Sequence, residues 1–275
     1  MNLSVVAPYK VLVVGDAIYD RYRFCHSQGR GTKESVLSVK FERQEEYMGG
    51  VWASSLHLTD LCESVAIWHG DTATINTKYL VEYKKQLFSE HDSKPIQATP
   101  IPDIGFYDVV IVFDYGHGFL TTPIRESIMQ GARFLAVNAQ SNSSNYGFNR
   151  VNEKWPTANL CVVDELEARL AAHEPEAPIE EVILKLPYSK IIVTQGSKGA
   201  VGYGNKEFYR EAALTDRPVD LLGAGDAVLA VVAPFARAGW SIRDLVHLGN
   251  IAGAIKVGIL GHQKHITKAL LEEHL

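Results

Sequence analysis

The sequence predicts an α/β protein, a doubly wound parallel sheet flanked by helices with a small β lid. Three observations carry this. Unbroken apolar runs recur, Val11-Leu12-Val13-Val14, Val109-Val110-Ile111-Val112-Phe113 and Ile191-Ile192-Val193, which is how strands buried on both faces of a parallel sheet read. Helical stretches separate them at the spacing of strand–helix–strand units. One polar segment, with strand-like alternation over Val36 to Glu42, falls outside that rhythm.

The first strand ends at Gly15, so Asp16, Ala17 and Asp20 follow at its carboxyl end, the edge where open α/β sheets bind ligands. From about 23 to 48 the chain turns polar and predicts lid strands. Gly49-Gly50 precede a helix starting at Val51, close to the same edge. Val65 to Trp68 reads as a strand, and Thr74 to Phe88 as an amphipathic helix or a strand–helix unit. The strand over 109–113 runs into Asp114-Tyr115-Gly116-His117-Gly118. A helix over 123–131, a strand over 134–137 and a polar loop, Asn138 to Asn149, come next. The amides and hydroxyls of that loop, Ser144 among them, suit turn capping or hydrogen bonds to a polyol, with capping the better reading for most of them. Strands over 160–163 and 190–194 flank an acid-rich helical stretch broken by Pro175 and Pro178. After Asp226 the pattern is nearly all helix, rich in Ala, Gly and Leu. With no repeat or linker, residues 1–275 read as a single domain.

A chain of 275 residues that is 46% hydrophobic and 21% charged can bury a full core and is not disordered. Its net charge of −5 and pI of 6.1 provide no basic face for nucleic acid. Cys25, Cys62 and Cys161 are far apart and lack paired spacing, which argues against a disulfide framework or a zinc site and for a reducing, cytoplasmic setting. The start, MNLSVVAPYKVLVVG, reads as a first strand rather than a signal peptide. No apolar run reaches the roughly 20 residues that span a bilayer.

The segment Asp220-Leu221-Leu222-Gly223-Ala224-Gly225-Asp226 says most about function. Two glycines let backbone approach a ligand, and unpaired N–H groups at a helix start face outward as donors for an anion. An acid there would repel a phosphate unless it takes a proton from a hydroxyl attacking that phosphate. Read alone, Asp226 serves equally well as a helix N-cap.

DLLGAGDAV resembles the signature of the ribokinase, or PfkB, family of sugar kinases, D-T-x-G-A-G-D-x-F. The resemblance implies a ribokinase-like fold and an ATP-dependent kinase using Mg²⁺, with the amides of Gly223, Ala224 and Gly225 as anion hole and Asp226 as base. VLVVGDAIYDRY, INTKYL, VFDYGHGFLT, VTQGSKGAVGY and LGNIAGAIKVGILG resemble further segments of one branch, the heptose-7-phosphate kinases of lipopolysaccharide precursor synthesis. They span residues 11 to 261 in the family's order. By this resemblance Thr194, Gly196, Gly199 and Asn250 line the nucleotide; Asp16, Asp20, Gly49 and Gly50 meet the sugar; Glu167 with Asp164 serves the metal, directly or through water. Lid strands in this family pair between subunits, which suggests a homodimer. Kinases of this branch are fused to a nucleotidyltransferase, but the H-x-G-H segment is missing here, which suggests that a partner chain supplies that step.

Departures fall more on the sugar side than on the phosphate side. Ala53 stands where the family has Asn, His117 where it has Lys, Asp164 where it has Asn, and the 64–74 connection is short. The expected activity is therefore a sugar or sugar-phosphate kinase. Two rivals remain: a weakly active sugar- or nucleotide-binding protein on the kinase fold, and a nucleoside kinase.

Overall fold

The computed structural model describes every residue except 32, 33, 83, 84, 98, 144 and 216. Thr32 and Lys33 of the expected lid segment, and Ser144 of the polar loop, thus lie outside the described residues. From the amino end run β1 (Lys10–Gly15), β2 (Ala17–Arg30), β3 (Leu37–Gly50), α1 (Val51–Leu56), β4 (Ser64–Trp68), β5 (Thr74–Val81) and β6 (Lys85–Asp92). Then come β7 (Val109–Asp114), α2 (Thr122–Gly131), β8 (Leu135–Ala139), α3 (Val151–Lys154), β9 (Leu160–Asp164), α4 (Glu165–Ala172) and α5 (Ile179–Leu184). The chain finishes with β10 (Lys190–Thr194), β11 (Ala200–Gly204), β12 (Glu207–Glu211), α6 (Ala224–Arg237), α7 (Ile242–Val257) and α8 (Lys268–His274).

The main sheet has the order β12-β11-β10-β9-β8-β7-β1-β4. From β4 to β10 its neighbours pair in parallel, and β11 and β12 add an antiparallel edge. The apolar runs explain the layering. Alternate residues of a strand point to opposite faces, so Val11, Val13 and Ile111 pack with α6 and α7 while Leu12, Val14 and Val112 pack with α2, α4 and α5. Each such side chain, almost wholly buried, contributes about 1.5–3 kcal/mol. On one face α6 and α7 come close because Gly249 faces Val228; a Cβ on Gly249 would sit 3.1 Å from Val228 Cγ1.

The smaller sheet, ordered β3-β2-β5-β6, is the β lid. Its long strands β2 and β3 begin at Ala17 and end at Gly50, so the lid starts earlier than the polar segment suggested. Thr74 to Phe88 requires a correction, because its described residues, all but 83 and 84, form neither a helix nor a strand–helix unit. It supplies β5, parallel to β2, and the start of β6, antiparallel to β5. Buried positions at 74, 77 and 80 lie three apart, which mimics a helix. Pairing with β2, and the β-branched Thr74, Ile75, Thr77 and Val81, decide for strand.

Candidate active site

Two cavities open along the carboxyl edge of the main sheet. The smaller, about 220 Å³, lies between lid and body and is lined by Asp20, Gly50, Asn76, Lys78, His91, Tyr115, His117 and His262, among others. The larger, about 530 Å³, is lined by Asp164, Glu167, Thr194, Gly196, Gly199, Asn250 and apolar side chains including Leu214, Pro218 and Val257. They share Gln140, Gly223 and Asp226.

The shared turn starts α6. Gly223 is its N-cap, left-handed at φ 70° and ψ 14°, and no side chain caps the helix, so donors of the first turn are left facing the cavities. A Cβ on Gly223 would approach His262 Cε1 to 3.1 Å, whereas one on Gly225 would meet no protein atom within 4 Å. Gly223 is thus demanded by the fold. Packing places no such demand on Gly225, whose lack of a side chain leaves the cavity open. Burial raises the Asp226 pKa, and neighbouring Tyr115, His262 and Lys256 oppose the rise. A carboxylate of increased basicity at the junction of two cavities suits proton abstraction.

In the smaller cavity, Asp20 faces the open space and its Oδ2 lies 3.2 Å from His262 Nε2, both side chains being under 10% exposed. Gly49 sits behind that pair rather than on the cavity wall, and any side chain there would collide with Asp20 Oδ2. Gly50, at φ 56°, starts α1 and does line the cavity. Asp16 departs from its expected place. It is 1% exposed and does not line the cavity. Its Oδ2 accepts from the backbone N–H groups of Tyr115 (3.2 Å) and His117 (3.3 Å). Burial, then the charge of Asp114, push its pKa up to about 7. Asp114 in turn accepts from Gly116 N, Asn149 Nδ2 and Trp155 Nε1. Two buried acids therefore hold the loop that carries Tyr115 and His117. Asp16 is withdrawn because, where Gly15 ends β1, the next side chain is taken up by the amides of the distant 115–117 loop.

In the larger cavity, Thr194 ends β10, and Gly196 (φ 56°) and Gly199 (φ 95°) shape the turn to β11. Asn250 Nδ2 donates to Glu211 Oε2 and the Ala212 carbonyl, each at 3.2 Å, tying α7 to the end of β12. Asp164 and Glu167 form a capping box at the start of α4. Glu167 Oε1 also accepts from Ser141 N at 3.1 Å, and burial followed by the Asp164 charge raises the Glu167 pKa. Among the described residues no group of three or more His, Cys, Asp or Glu is placed to hold a metal. No described helix is long and apolar enough to cross a membrane.

Sequence reasoning missed Lys256, His262 and Tyr115. Lys256 has no exposed surface, and its Nζ reaches the Leu222 and Gly261 carbonyls at 2.7 Å each. Its signal was present, a single lysine between Ile255 and Val257 on an otherwise apolar helix face.

The sequence pattern of pfkB family carbohydrate kinases matches residues 113–269. The bifunctional protein HldE of Haemophilus influenzae is 26% identical over 92% of this chain, which covers 60% of that protein's length. The D-beta-D-heptose 7-phosphate kinase of Bordetella bronchiseptica is 25% identical over 93% of both chains. Among solved structures, ribokinase from Thermotoga maritima superposes with a TM-score of 0.74 at 14% identity, covering 97% of this chain and 99% of its own. Arabidopsis thaliana ribokinase, complexed with ribose and ATP, gives 0.70 at 13% identity, covering 97% and 98%. These likenesses show the ribokinase fold, and with a family pattern matching more than half its length the chain belongs to the pfkB family of carbohydrate kinases.

Proposed function

We propose that this kinase transfers the γ-phosphoryl group of ATP to a hydroxyl of a phosphorylated sugar, with Asp226 as general base. The observation that carries the reading is that Gly223 and Asp226 belong to both cavities. A phosphoryl group held at this turn faces a hydroxyl from one side and a nucleotide from the other. Asp226 takes the hydroxyl proton as the oxygen attacks phosphorus. The amides of Gly223, Ala224 and Gly225 meet the charge spread over the transferred oxygens, and placement accounts for much of the rate. Asp20, held by His262, orients sugar hydroxyls with Gly50. Apolar walls at Leu214, Pro218 and Val257 receive the base of the nucleotide, with Thr194, Gly196, Gly199 and Asn250 around it. The lid shields the transfer from water.

A Mg²⁺ ion fits this site. Asp164 keeps Oδ2 outside the capping box and Glu167 is a buried carboxyl of raised pKa, a pair that a cation would relieve. Nucleotide phosphates and water would complete the shell of an ion held by Asp164 and Glu167, as Mg²⁺ prefers. When bound, the ion neutralises phosphate charge.

The lining of the smaller cavity supports an acceptor with a phosphate. Asn76, Lys78, His91 and His117 are among its walls, and His117 Nδ1 is buried without a partner. The relatives named for heptose 7-phosphate agree with an acceptor of that kind. The three free, buried cysteines fit a cytoplasmic setting. Exposed Leu37, Phe41 and Met48 on the edge strand β3 support a dimer through the lid. The deciding experiment is ADP release over hexoses, heptoses, their phosphates and nucleosides, with the product defined by ³¹P NMR. Turnover with sugar phosphates is expected; preference for nucleosides, or no release on any acceptor, would overturn the reading.

A further inference from the structure

Among the described residues Lys256 differs from every other lysine and arginine in having 0% exposure. A charge so placed survives only when its surroundings are built for it. Here they are. Nζ donates to the carbonyl oxygens of Leu222 and Gly261, 2.7 Å each. The N–H groups of the same two residues go to one carboxylate: Leu222 N reaches Asp220 Oδ1 at 3.0 Å and Gly261 N reaches Asp220 Oδ2 at 2.9 Å. A cation and an anion thus grip the carbonyl and amide groups of the same two residues.

The residue after each gripped one gives the clamp its meaning. Leu222 precedes Gly223, the cap of the phosphate turn, and Gly261 precedes His262, which holds Asp20 in the sugar cavity. The ammonium lies directly behind the turn, since a Cβ on Gly223 would be 3.5 Å from Lys256 Cε and 3.8 Å from Nζ. Burial lowers the Lys256 pKa, the charges of Asp220, Asp226 and Asp20 raise it, and Lys78 adds a smaller opposing effect. Carbonyl oxygens converging beside a carboxylate form the kind of oxygen set that replaces the hydration shell of a monovalent cation. Lysine supplies the same compact charge on a tether.

We propose that Lys256 is a positioning residue for phosphoryl transfer, a built-in monovalent cation that fixes the Gly223–Asp226 turn from behind and makes turnover independent of dissolved potassium or ammonium. The inference rests on the kinase reading of the two cavities. Lys256 touches no reacting atom; it acts through the backbone of Leu222 and Gly261.

The experiment compares wild type, Lys256→Ala and Lys256→Met in tetramethylammonium buffer with KCl or NH₄Cl titrated in. ADP release is followed with the most active sugar phosphate, and the rise in melting temperature caused by ATP is measured beside it without any acceptor. Wild type should respond to either salt by less than about twofold. Lys256→Ala should lose about 10²-fold in kcat, the scale seen when a supporting contact loosens a site, with a smaller change in KM for ATP. Ammonium or potassium, entering the vacated space, should restore at least about tenfold of that loss and should restore the ATP-induced melting shift. Lys256→Met, whose longer stem occupies that space, should not be rescued. A wild type that requires potassium overturns the proposal whether or not the variants fold. So does Lys256→Ala at wild-type rate, or a folded Lys256→Ala that no cation improves. A wild type that gains stability from ATP, equally in every salt, yet releases no ADP with any acceptor faults the kinase reading and supports the clamp.

Discussion

In the larger cavity the groups that would face a ligand's polar atoms include backbone, at the open turn Gly223–Gly225 and the glycine-shaped connection Gly196–Gly199, beside the side chains of Asp164, Glu167, Thr194 and Asn250. In the smaller they are side chains, Asp20, Asn76, Lys78, His91, His117 and His262, delivered by β2, β5, β6 and two loops. Backbone presents the same N–H whatever the substrate, so it suits the phosphate common to every turnover. Side chains differ residue by residue, so they suit the choice of acceptor. On the proposed reading one cavity is general and the other selective, and Asp226 lines both.

The comparison breaks first at Asp226. Asp226→Asn should lower kcat by about 10²–10⁴-fold, the usual worth of a placed base, while ATP still raises the melting temperature. A variant with near-normal kcat would deny the cavities a common catalytic group. Next comes Gly225→Val. Because no protein atom lies within 4 Å of a Cβ there, melting should change little while kcat falls by about 10²-fold through lost donor access; equal collapse of melting would make the turn structural only. On the selective side, Lys78→Met should raise KM for a phosphorylated acceptor about tenfold, the scale of one charged hydrogen bond, and leave KM for ATP unchanged. Equal changes in both constants would merge the two cavities into one functional unit.

A last effect falls on stability rather than turnover, and concerns support rather than contact. Asp16 has a pKa of about 7 in the fold against 3.8 in the unfolded chain. Between those values the folded protein holds the extra proton, so stability falls as pH rises across the window and levels off above about pH 7. Asp16→Asn keeps an oxygen for the Tyr115 and His117 amides and should flatten that fall, worth a few kcal/mol at about 1.4 per pH unit. Urea unfolding at pH 5 and pH 7 measures it; an unchanged slope would show that Asp16 does not set the pH dependence.

The same contrast explains what could be read in the sequence. Apolar runs fix their strands wherever they pair, so Val11–Val14, Val109–Phe113 and Ile191–Val193 announced β1, β7 and β10 directly. The glycine turn before α6 was legible for the same reason: its chemistry is local. Thr74–Phe88 was misread because its strand identity comes from β2, more than fifty residues away at Arg23↔Tyr79. Asp16 was assigned to the sugar because an acid at a strand end gives no sign of which way it turns; the amides that claim it belong to residues 115 and 117. Lys256 and His262 become meaningful only once Asp220 and Asp20 are brought to them.

Strands β2 and β3 leave and rejoin the body at neighbouring points, where Val51 N donates to the Asp16 carbonyl at 3.3 Å. Each strand has 14 residues, so at about 3.3 Å per residue the pair extends roughly 40 Å from that bond. Such a hairpin is a lever with a short fulcrum. A rotation of about 10° at the base would swing its tip about 7 Å, while Asp20, a few residues from the pivot, would scarcely move. Carried by the four paired strands of the lid, such a swing would be large at the rim and small beside Asp226.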